Sequence, residues 1–168
     1  MIGSIITQKL AELAPLDAVE QENVLAEILQ HYVLASLARA RLFDVAEFHG
    51  GTFLRILHGL ERFSEDLDFV LKRPDPTFAW DDLLDHVQKE CAYDGIPFEV
   101  SHKKEPDKAV QKAFLKTSFP GALPGLELRF KRHPGRKIRI KLEVDTNPPA
   151  GSKFEIAYLS FPTLYFCF

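Results

Sequence analysis

The sequence predicts an α/β (α+β) fold in which N-terminal helices are followed by a mixed sheet with flanking helices. Its 168 residues, 46% of them hydrophobic and fourteen of them phenylalanine, suffice for one domain with a packed core. Apolar residues recur at helical spacing early in the chain, whereas shorter stretches further along are β-rich or alternate with period two. This order of patterns is typical of an α+β domain.

The helices are indicated by apolar spacing and by a cap. A short helix is predicted over about 4–14, and an amphipathic helix is predicted over about 18–41, following the capping pattern D-x-x-E. Helical spacing returns over about 52–60 and again over about 79–93. We expect the helix over 18–41 to be part of the core.

The strands are indicated by β-favouring residues between turn signals. FDVAEF at 43–48 is a strand candidate, and LDFVL at 67–71 is a second one that the prolines of RPDP end. A strand is predicted over 96–102, and 109–119 fits either a strand or a helix. Further strand candidates are 126–132, 137–145 and 154–159.

The composition argues against several classes of protein. No run approaches the roughly 18 apolar residues of a membrane span, and the N-terminus lacks the basic start and long apolar stretch of a signal peptide. We therefore expect no membrane association and a cytoplasmic location. Cys91 and Cys167 form no ligand cluster and are too few for a disulfide framework, so zinc and redox chemistry are not predicted. Cys91 is expected in the core.

Charge is strongly segregated along the chain. Residues 1–100 carry 8 Lys/Arg against 18 Asp/Glu, residues 101–141 carry 12 against 3, and residues 142–168 carry 1 against 3. The basic segment RFKRHPGRKIRIK at 129–141 predicts a hairpin that binds an RNA backbone through its phosphates. A hairpin that is merely solvated is the alternative.

Two carboxylates stand out because a single leucine separates them. On a strand, Asp66 and Asp68 lie on the same face, since side chains alternate between faces. Their spacing of roughly 7 Å suits a hard divalent cation that also binds phosphate oxygens. The sequence therefore favours Mg²⁺ at this position, with gatekeeper acids on an exposed strand edge as the alternative.

A second strand offers further polar groups. In KIRIKLEVD at 137–145, apolar residues alternate with charged ones, which predicts one core face and one polar face. If this strand lies beside 67–71, Glu143 or Asp145 would complete a cluster of three carboxylates, with Lys141 next to it. A bound triphosphate would then meet the cation on one side and the ammonium on the other.

The turn Gly50-Gly51-Thr52 precedes the two aspartates and is a candidate phosphate site. Glycine lets backbone N–H groups approach a phosphate closely, and a helix beginning at Thr52 directs its positive end to the same place. The Thr52 hydroxyl would add a contact, and Arg55 or Arg62 would neutralise remaining charge. A tight turn without a ligand is the alternative.

Taken together, GGTFLR, RFSEDLDF and IKLEV resemble the AbiEii/AbiGii toxin family of nucleotidyltransferases, within the DNA polymerase β-like nucleotidyltransferase superfamily. The similarity covers about 45–145. It implies a helical N-terminal lead-in at 1–44 and a nucleotidyltransferase-like core at 45–168. Relatives continue into a helical C-terminal half, which we expect this chain to lack.

The resemblance implies an Mg²⁺-dependent enzyme that transfers a nucleoside monophosphate from a nucleoside triphosphate to an acceptor hydroxyl. Asp66, Asp68 and Glu143 match the catalytic carboxylates that bind the metal, and Lys141 matches a phosphate contact. The implied nucleotide-binding turn is Gly50, Gly51 and Thr52. Members act as toxins in toxin–antitoxin and phage-defence systems, and some modify transfer RNA, so RNA and a cognate antitoxin protein are implied partners.

Two other functions remain open from the sequence. The first is a truncated, catalytically silent relative that binds a nucleotide or an antitoxin without turnover. The second is nucleotidylation of a small molecule such as an aminoglycoside, which the basic segment 129–141 disfavours because a cationic substrate would avoid it.

Overall fold

The computed structural model describes residues 17–103, 105, 108–118, 137–151 and 156–158. The predicted helix at 4–14, the predicted strand at 126–132 and Cys167 lie outside these residues. Of the candidate strand 154–159 only 156–158 is described, and it is not in a strand.

Four helices and five strands make up the described fold. The helices are α1 (Ala18–Arg39), α2 (Leu42–Val45), α3 (Gly50–His58) and α4 (Asp81–Tyr93). The strands are β1 (Ala46–His49), β2 (Asp66–Leu71), β3 (Glu99–Lys103), β4 (Val110–Thr117) and β5 (Ile138–Asp145). The predicted α/β (α+β) fold class is confirmed.

The strands form one mixed sheet in the order β1-β2-β5-β4-β3. β2 and β5 are parallel, whereas the other three neighbouring pairs are antiparallel. The strand with the two aspartates and the strand with Glu143 are therefore neighbours. The segment 109–119, which fitted either a helix or a strand, contains β4.

The helix α1 confirms the prediction over 18–41. The Asp17 carboxylate accepts hydrogen bonds from the backbone N–H groups of Val19 and Glu20, and the Glu20 carboxylate accepts from the Asp17 N–H in return. This capping box satisfies N–H groups that a helix start leaves without intrahelical partners. The middle of α1 is buried against α4 and β5.

The prediction of a strand over 43–48 was wrong in its first half. Arg41 follows α1 with a φ of 66°, in the left-handed region, and the chain then forms the short helix α2. This turn buries Leu42 and places Ala46 opposite Leu71, so that β1 begins at Ala46. Burial of Leu42 thus outweighs the β-propensity of the segment.

The core lies on one face of the sheet. In β5 the side chains of Ile138, Ile140, Leu142 and Val144 are buried, and they alternate with charged side chains on the other face. Cys91 on α4 is buried in the same core, as expected, and burial raises the pKa of its thiol to about 12. Among the described helices, none is both long and apolar enough to cross a bilayer.

Candidate active site

Three carboxylates meet where β2 and β5 run side by side. The parallel register places Asp68 opposite Glu143, and Asp66 is two residues earlier on the same face of β2. One carboxylate oxygen from each of Asp66, Asp68 and Glu143 lies within 4.8 Å of the others. All three side chains are half-buried, so the cluster is open to a ligand.

Two lysines neutralise part of this charge. Lys141 Nζ lies 2.6 Å from Asp66 Oδ2 and 3.1 Å from Glu143 Oε1. Lys112 of β4 lies opposite Glu143, with its Nζ 2.8 Å from the same Oε1. The position of Lys141 beside the acids follows from the alternation in β5, whereas that of Lys112 depends on the register of β4, which the sequence does not encode.

Burial and neighbouring charges shift the pKa values of Asp68, Glu143 and Lys141. Burial raises the pKa of Asp68, and the negative charge of Asp66 adds to this effect. Burial also acts to raise the pKa of Glu143, but hydrogen bonds from Lys112 and Lys141 outweigh it and hold that pKa below its ordinary value. The hydrogen bond to Asp66 raises the pKa of Lys141. The charge of Asp68 is thus less compensated than that of Glu143.

The two glycines of the turn lie in close contact with neighbouring side chains. Gly50 has a φ of +83°, and a Cβ built on it would lie 2.5 Å from Asp68 Oδ2. A Cβ built on Gly51 would lie 2.8 Å from the Ser64 hydroxyl oxygen. Only glycine therefore lets the start of α3 lie directly against Asp68. The positive end of a nine-residue helix is placed next to the three carboxylates.

The Thr52 hydroxyl, which was expected to contact a phosphate, makes a structural hydrogen bond instead. Its side chain is fully buried, and its hydroxyl donates a hydrogen bond to the Asp66 carbonyl oxygen at 2.5 Å. The Ser64 carbonyl oxygen lies 3.5 Å from the same hydroxyl. The hydroxyl thus fixes the first residue of β2 to the helix α3, and it does not face the space above the carboxylates.

Arg55 also differs from the expectation that it neutralises phosphate. Its guanidinium forms an ion pair with Glu27 of α1 and donates to the carbonyl oxygens of Leu60 and Glu61, at 3.1 and 2.6 Å. These contacts hold the loop between α3 and β2. Arg55 therefore supports the site through the backbone that leads into Asp66.

Gln30 completes this support and was not singled out from the sequence. Its buried side-chain amide donates to the carbonyl oxygens of Ser64 and Glu65, at 2.8 and 3.1 Å. The only signal in the sequence is a polar residue among the buried positions of α1. Because it lies 34 residues from Ser64, the sequence alone does not reveal the pairing.

Of the two remaining candidate residues, Arg62 lies near the diglycine turn and Asp145 lies away from the three carboxylates. The Arg62 guanidinium is exposed, and one of its nitrogens lies 3.8 Å from where a Cβ on Gly51 would be. Asp145 lies opposite Val70, and its carboxylate accepts a hydrogen bond from the Asn147 N–H at 2.9 Å. Arg62 is therefore the arginine at the turn, and Asp145 lies apart from the three carboxylates.

The site suits a hard divalent cation. Its donors are carboxylate oxygens on adjacent strands, and the distances between them allow one ion to contact all three residues. Cys91, the sole cysteine in the part of the chain that the structure describes, is buried in the core and is not a donor here. The donor set thus fits Mg²⁺ or a similar oxygen-seeking ion.

A mixed sheet that carries a carboxylate cluster beside a glycine turn defines the nucleotidyltransferase class of folds. Residues 32–165 match the profile of the family described as "Nucleotidyl transferase AbiEii toxin, Type IV TA system". The match covers most of the chain, and the chain belongs to this family. The resemblance in the three sequence motifs is thereby confirmed.

Two solved structures from Helicobacter pylori are similar to this chain, and the one with the higher TM-score shows that the fold is shared. A crystal structure of a candidate nucleotidyltransferase is 23% identical, with a TM-score of 0.55, and the alignment covers 82% of this chain and 51% of that one. The structure of JHP933 is 24% identical, with a TM-score of 0.47, over 74% of this chain and 44% of that one. The chain thus spans about half the length of these relatives. Comparison with curated proteins gives no match.

Proposed function

We propose that the chain carries the catalytic core of a nucleotidyltransferase that transfers a nucleoside monophosphate from a nucleoside triphosphate to an acceptor hydroxyl. The observation that carries this proposal is the meeting of Asp66, Asp68 and Glu143 beside the diglycine turn. Membership of the AbiEii family supports it.

Asp66, Asp68 and Glu143 are the residues that would hold Mg²⁺. The bound cation would neutralise phosphate charge and polarise the phosphorus–oxygen bonds. Lys141 and Lys112 now donate to these carboxylates, and metal would compete with their ammonium groups for the same oxygens. Released from Asp66, Lys141 would contact a phosphate.

The protein groups around the cluster would have different roles in the reaction. Backbone N–H groups at Gly50 and Gly51 would bind the terminal phosphates at the start of α3, together with Arg62. The acceptor oxygen forms a bond to the α-phosphorus while the bond from that phosphorus to the bridging oxygen breaks. Pyrophosphate leaves with the electron pair. Glu143 would accept the hydroxyl proton and pass it to water.

The proposed partners follow from the family and from the charge pattern. The family description as a type IV toxin supports a cognate antitoxin protein and a role in a toxin–antitoxin or phage-defence system. Transfer RNA or another RNA is the proposed acceptor, and the basic segment 129–141 supports it. Most of that segment lies outside the described residues. A cytoplasmic site of action accords with these partners.

The proposal is tested by incubating the protein with each α-labelled triphosphate, Mg²⁺ and an RNA pool. We expect label on RNA with wild type and with Asp145→Asn, a matched acid on the neighbouring strand β5 that lies apart from the cluster. We expect loss of at least about 10²-fold with Asp68→Asn, since positioning and charge neutralisation dominate this chemistry. Transfer that survives Asp68→Asn would rule out the site.

A second function is favoured by the two lysines at the cluster. Lys112 and Lys141 already neutralise Asp66 and Glu143, as they would in a relative that binds a nucleotide without turnover. Calorimetry separates the two functions. Nucleotide binding that needs no divalent ion and leads to no transfer would favour the silent relative.

A further inference from the structure

An aromatic ring and a guanidinium stack on the polar face of the sheet, next to the carboxylate cluster. Phe114 of β4 and Arg139 of β5 lie on neighbouring strands, and the Arg139 guanidinium carbon lies 4.1 Å from the centre of the Phe114 ring. Phe114 is half-buried and Arg139 is exposed. Flat groups of both kinds are surfaces on which nucleobases stack.

The positive charges around Phe114 and Arg139 repel one another and disfavour folding when no ligand is bound. The register places Lys116 directly opposite Arg139, and like charges that face each other across strands destabilise a sheet. Glu99 of β3 lies opposite Lys116 on its other side, and its carboxylate is hydrogen-bonded to Lys137 at 2.5 Å. Within the described ranges, Arg139 forms no ion pair with a carboxylate. The patch therefore has an excess of positive charge that an anionic ligand would offset.

The position of the pair separates it from the phosphate-binding turn. Gly50 and Gly51 begin α3, which packs on β1 and β2, whereas the pair lies on β4 and β5. The carboxylates lie between them in the strand order. Phe114 is in the same row as Lys141 and Asp66, so it stands about 10 Å from Asp66 across two strand spacings. A reaction with two substrates needs a second binding surface, and the pair offers one on the side of the cluster away from the turn.

We propose that Phe114, Arg139 and Lys116 form the subsite for the acceptor, which they bind as the single-stranded end of an RNA. The terminal base stacks on Phe114 or on the guanidinium, and the adjacent phosphates contact Arg139 and Lys116. The terminal sugar hydroxyl then reaches towards Glu143. This assignment rests on the proposed nucleotidyltransferase function, and it names residues outside the carboxylate cluster and the turn.

The test measures RNA binding without any reaction. A 5′-labelled single-stranded RNA of about ten nucleotides is titrated with the full chain, without nucleotide and in EDTA, and binding is followed by fluorescence anisotropy. We expect Phe114→Leu to weaken binding about tenfold and Phe114→Trp to preserve it. We expect Arg139→Gln to weaken binding and to reduce the slope of log affinity against log salt by about 1.

Matched controls come from the far side of the molecule. Arg73 is exposed beyond the end of β2, and Tyr93 at the end of α4 is 92% exposed. Arg73→Gln makes the same change as Arg139→Gln, and Tyr93→Leu also replaces an aromatic ring with leucine, so both should leave RNA affinity unchanged. Circular dichroism melts identify any variant that fails to fold, and Phe114→Trp keeps the test decisive in that case.

Three results would overturn the subsite. The first is that the wild type binds no RNA. The second is that Phe114→Leu and Arg139→Gln bind RNA as tightly as the control variants do. The third is that Phe114→Leu weakens triphosphate binding as much as RNA binding, because Phe114 would then stack on the base of the donor nucleotide. RNA binding that depends on Phe114 in a protein that performs no transfer would instead sustain the subsite and overturn the proposed function.

Discussion

The most specific structural prediction concerns Gly50→Ala, because this substitution strains the backbone and also creates a steric clash with Asp68. A residue other than glycine at a φ of +83° costs about 1–2 kcal/mol. The new methyl would also stand 2.5 Å from Asp68 Oδ2, whereas ordinary contact begins at 3.4 Å. The Asp68 carboxylate must therefore move by about 1 Å.

Gly59→Ala is the matched control for the backbone cost. Gly59 ends α3 with a φ of +70°, and a Cβ built there has nothing within 4 Å. Both substitutions should lower the free energy of unfolding in urea titrations by the backbone cost of about 1–2 kcal/mol, and the displacement of Asp68 should add to the loss in Gly50→Ala. Only Gly50→Ala displaces a carboxylate of the site.

The two variants should therefore differ in activity and metal response. A displacement of about 1 Å at a reacting centre costs about 10²-fold in rate. We expect Gly50→Ala to lose label transfer on this scale and to lose most of the increase in melting temperature that Mg²⁺ confers on the wild type. Gly59→Ala should keep both. Equal transfer by the two variants would refute the close packing of Gly50 on Asp68 as a functional requirement.

Three further predictions concern stability. Without divalent ions at neutral pH, Asp68→Asn should raise the melting temperature, because the raised pKa of Asp68 reflects a charge that folding disfavours. This gain should vanish in melts well below the ordinary aspartate pKa of 3.8, where the carboxyl is protonated in both the folded and the unfolded protein. Burial lowers the pKa of His31 to about 4, so the free energy of unfolding measured in urea should fall by about 3 kcal/mol between pH 6.5 and pH 4. His31→Gln should flatten that part of the pH profile. A loss identical in both proteins would contradict this origin. Thr52→Val should destabilise by about 1–3 kcal/mol and Thr52→Ser by less, since serine keeps the hydrogen bond to the Asp66 carbonyl oxygen, and equal losses in thermal melts would argue against that bond.

Local sequence patterns predicted the elements that carry the site. The alternation in β5 and the β-rich run of β2 fix which side chains share a face, because the strand period is two. They did not fix which strands are neighbours. The pairing of Asp68 with Glu143, rather than with Asp145, depends on a parallel register between segments 75 residues apart, and no local pattern encodes it.

The supporting contacts were beyond sequence reasoning for the same reason. Thr52 and Arg55 have the chemistry of phosphate ligands, yet the structure uses both to hold backbone carbonyl groups near the start of β2. Gln30 and Lys112 reach the site from elements that are distant in the chain. Side-chain chemistry identified the candidates, whereas tertiary packing decided which of them face the cluster.

The most direct measurement is a titration with Mn²⁺ followed by electron paramagnetic resonance, in the presence of a non-hydrolysable triphosphate analogue. We expect Asp66→Asn, Asp68→Asn and Glu143→Gln each to lose tight Mn²⁺ binding that wild type and Asp145→Asn retain. If Glu143→Gln binds Mn²⁺ as Asp145→Asn does, then Asp66, Asp68 and Glu143 do not share one metal, and the proposed site is refuted.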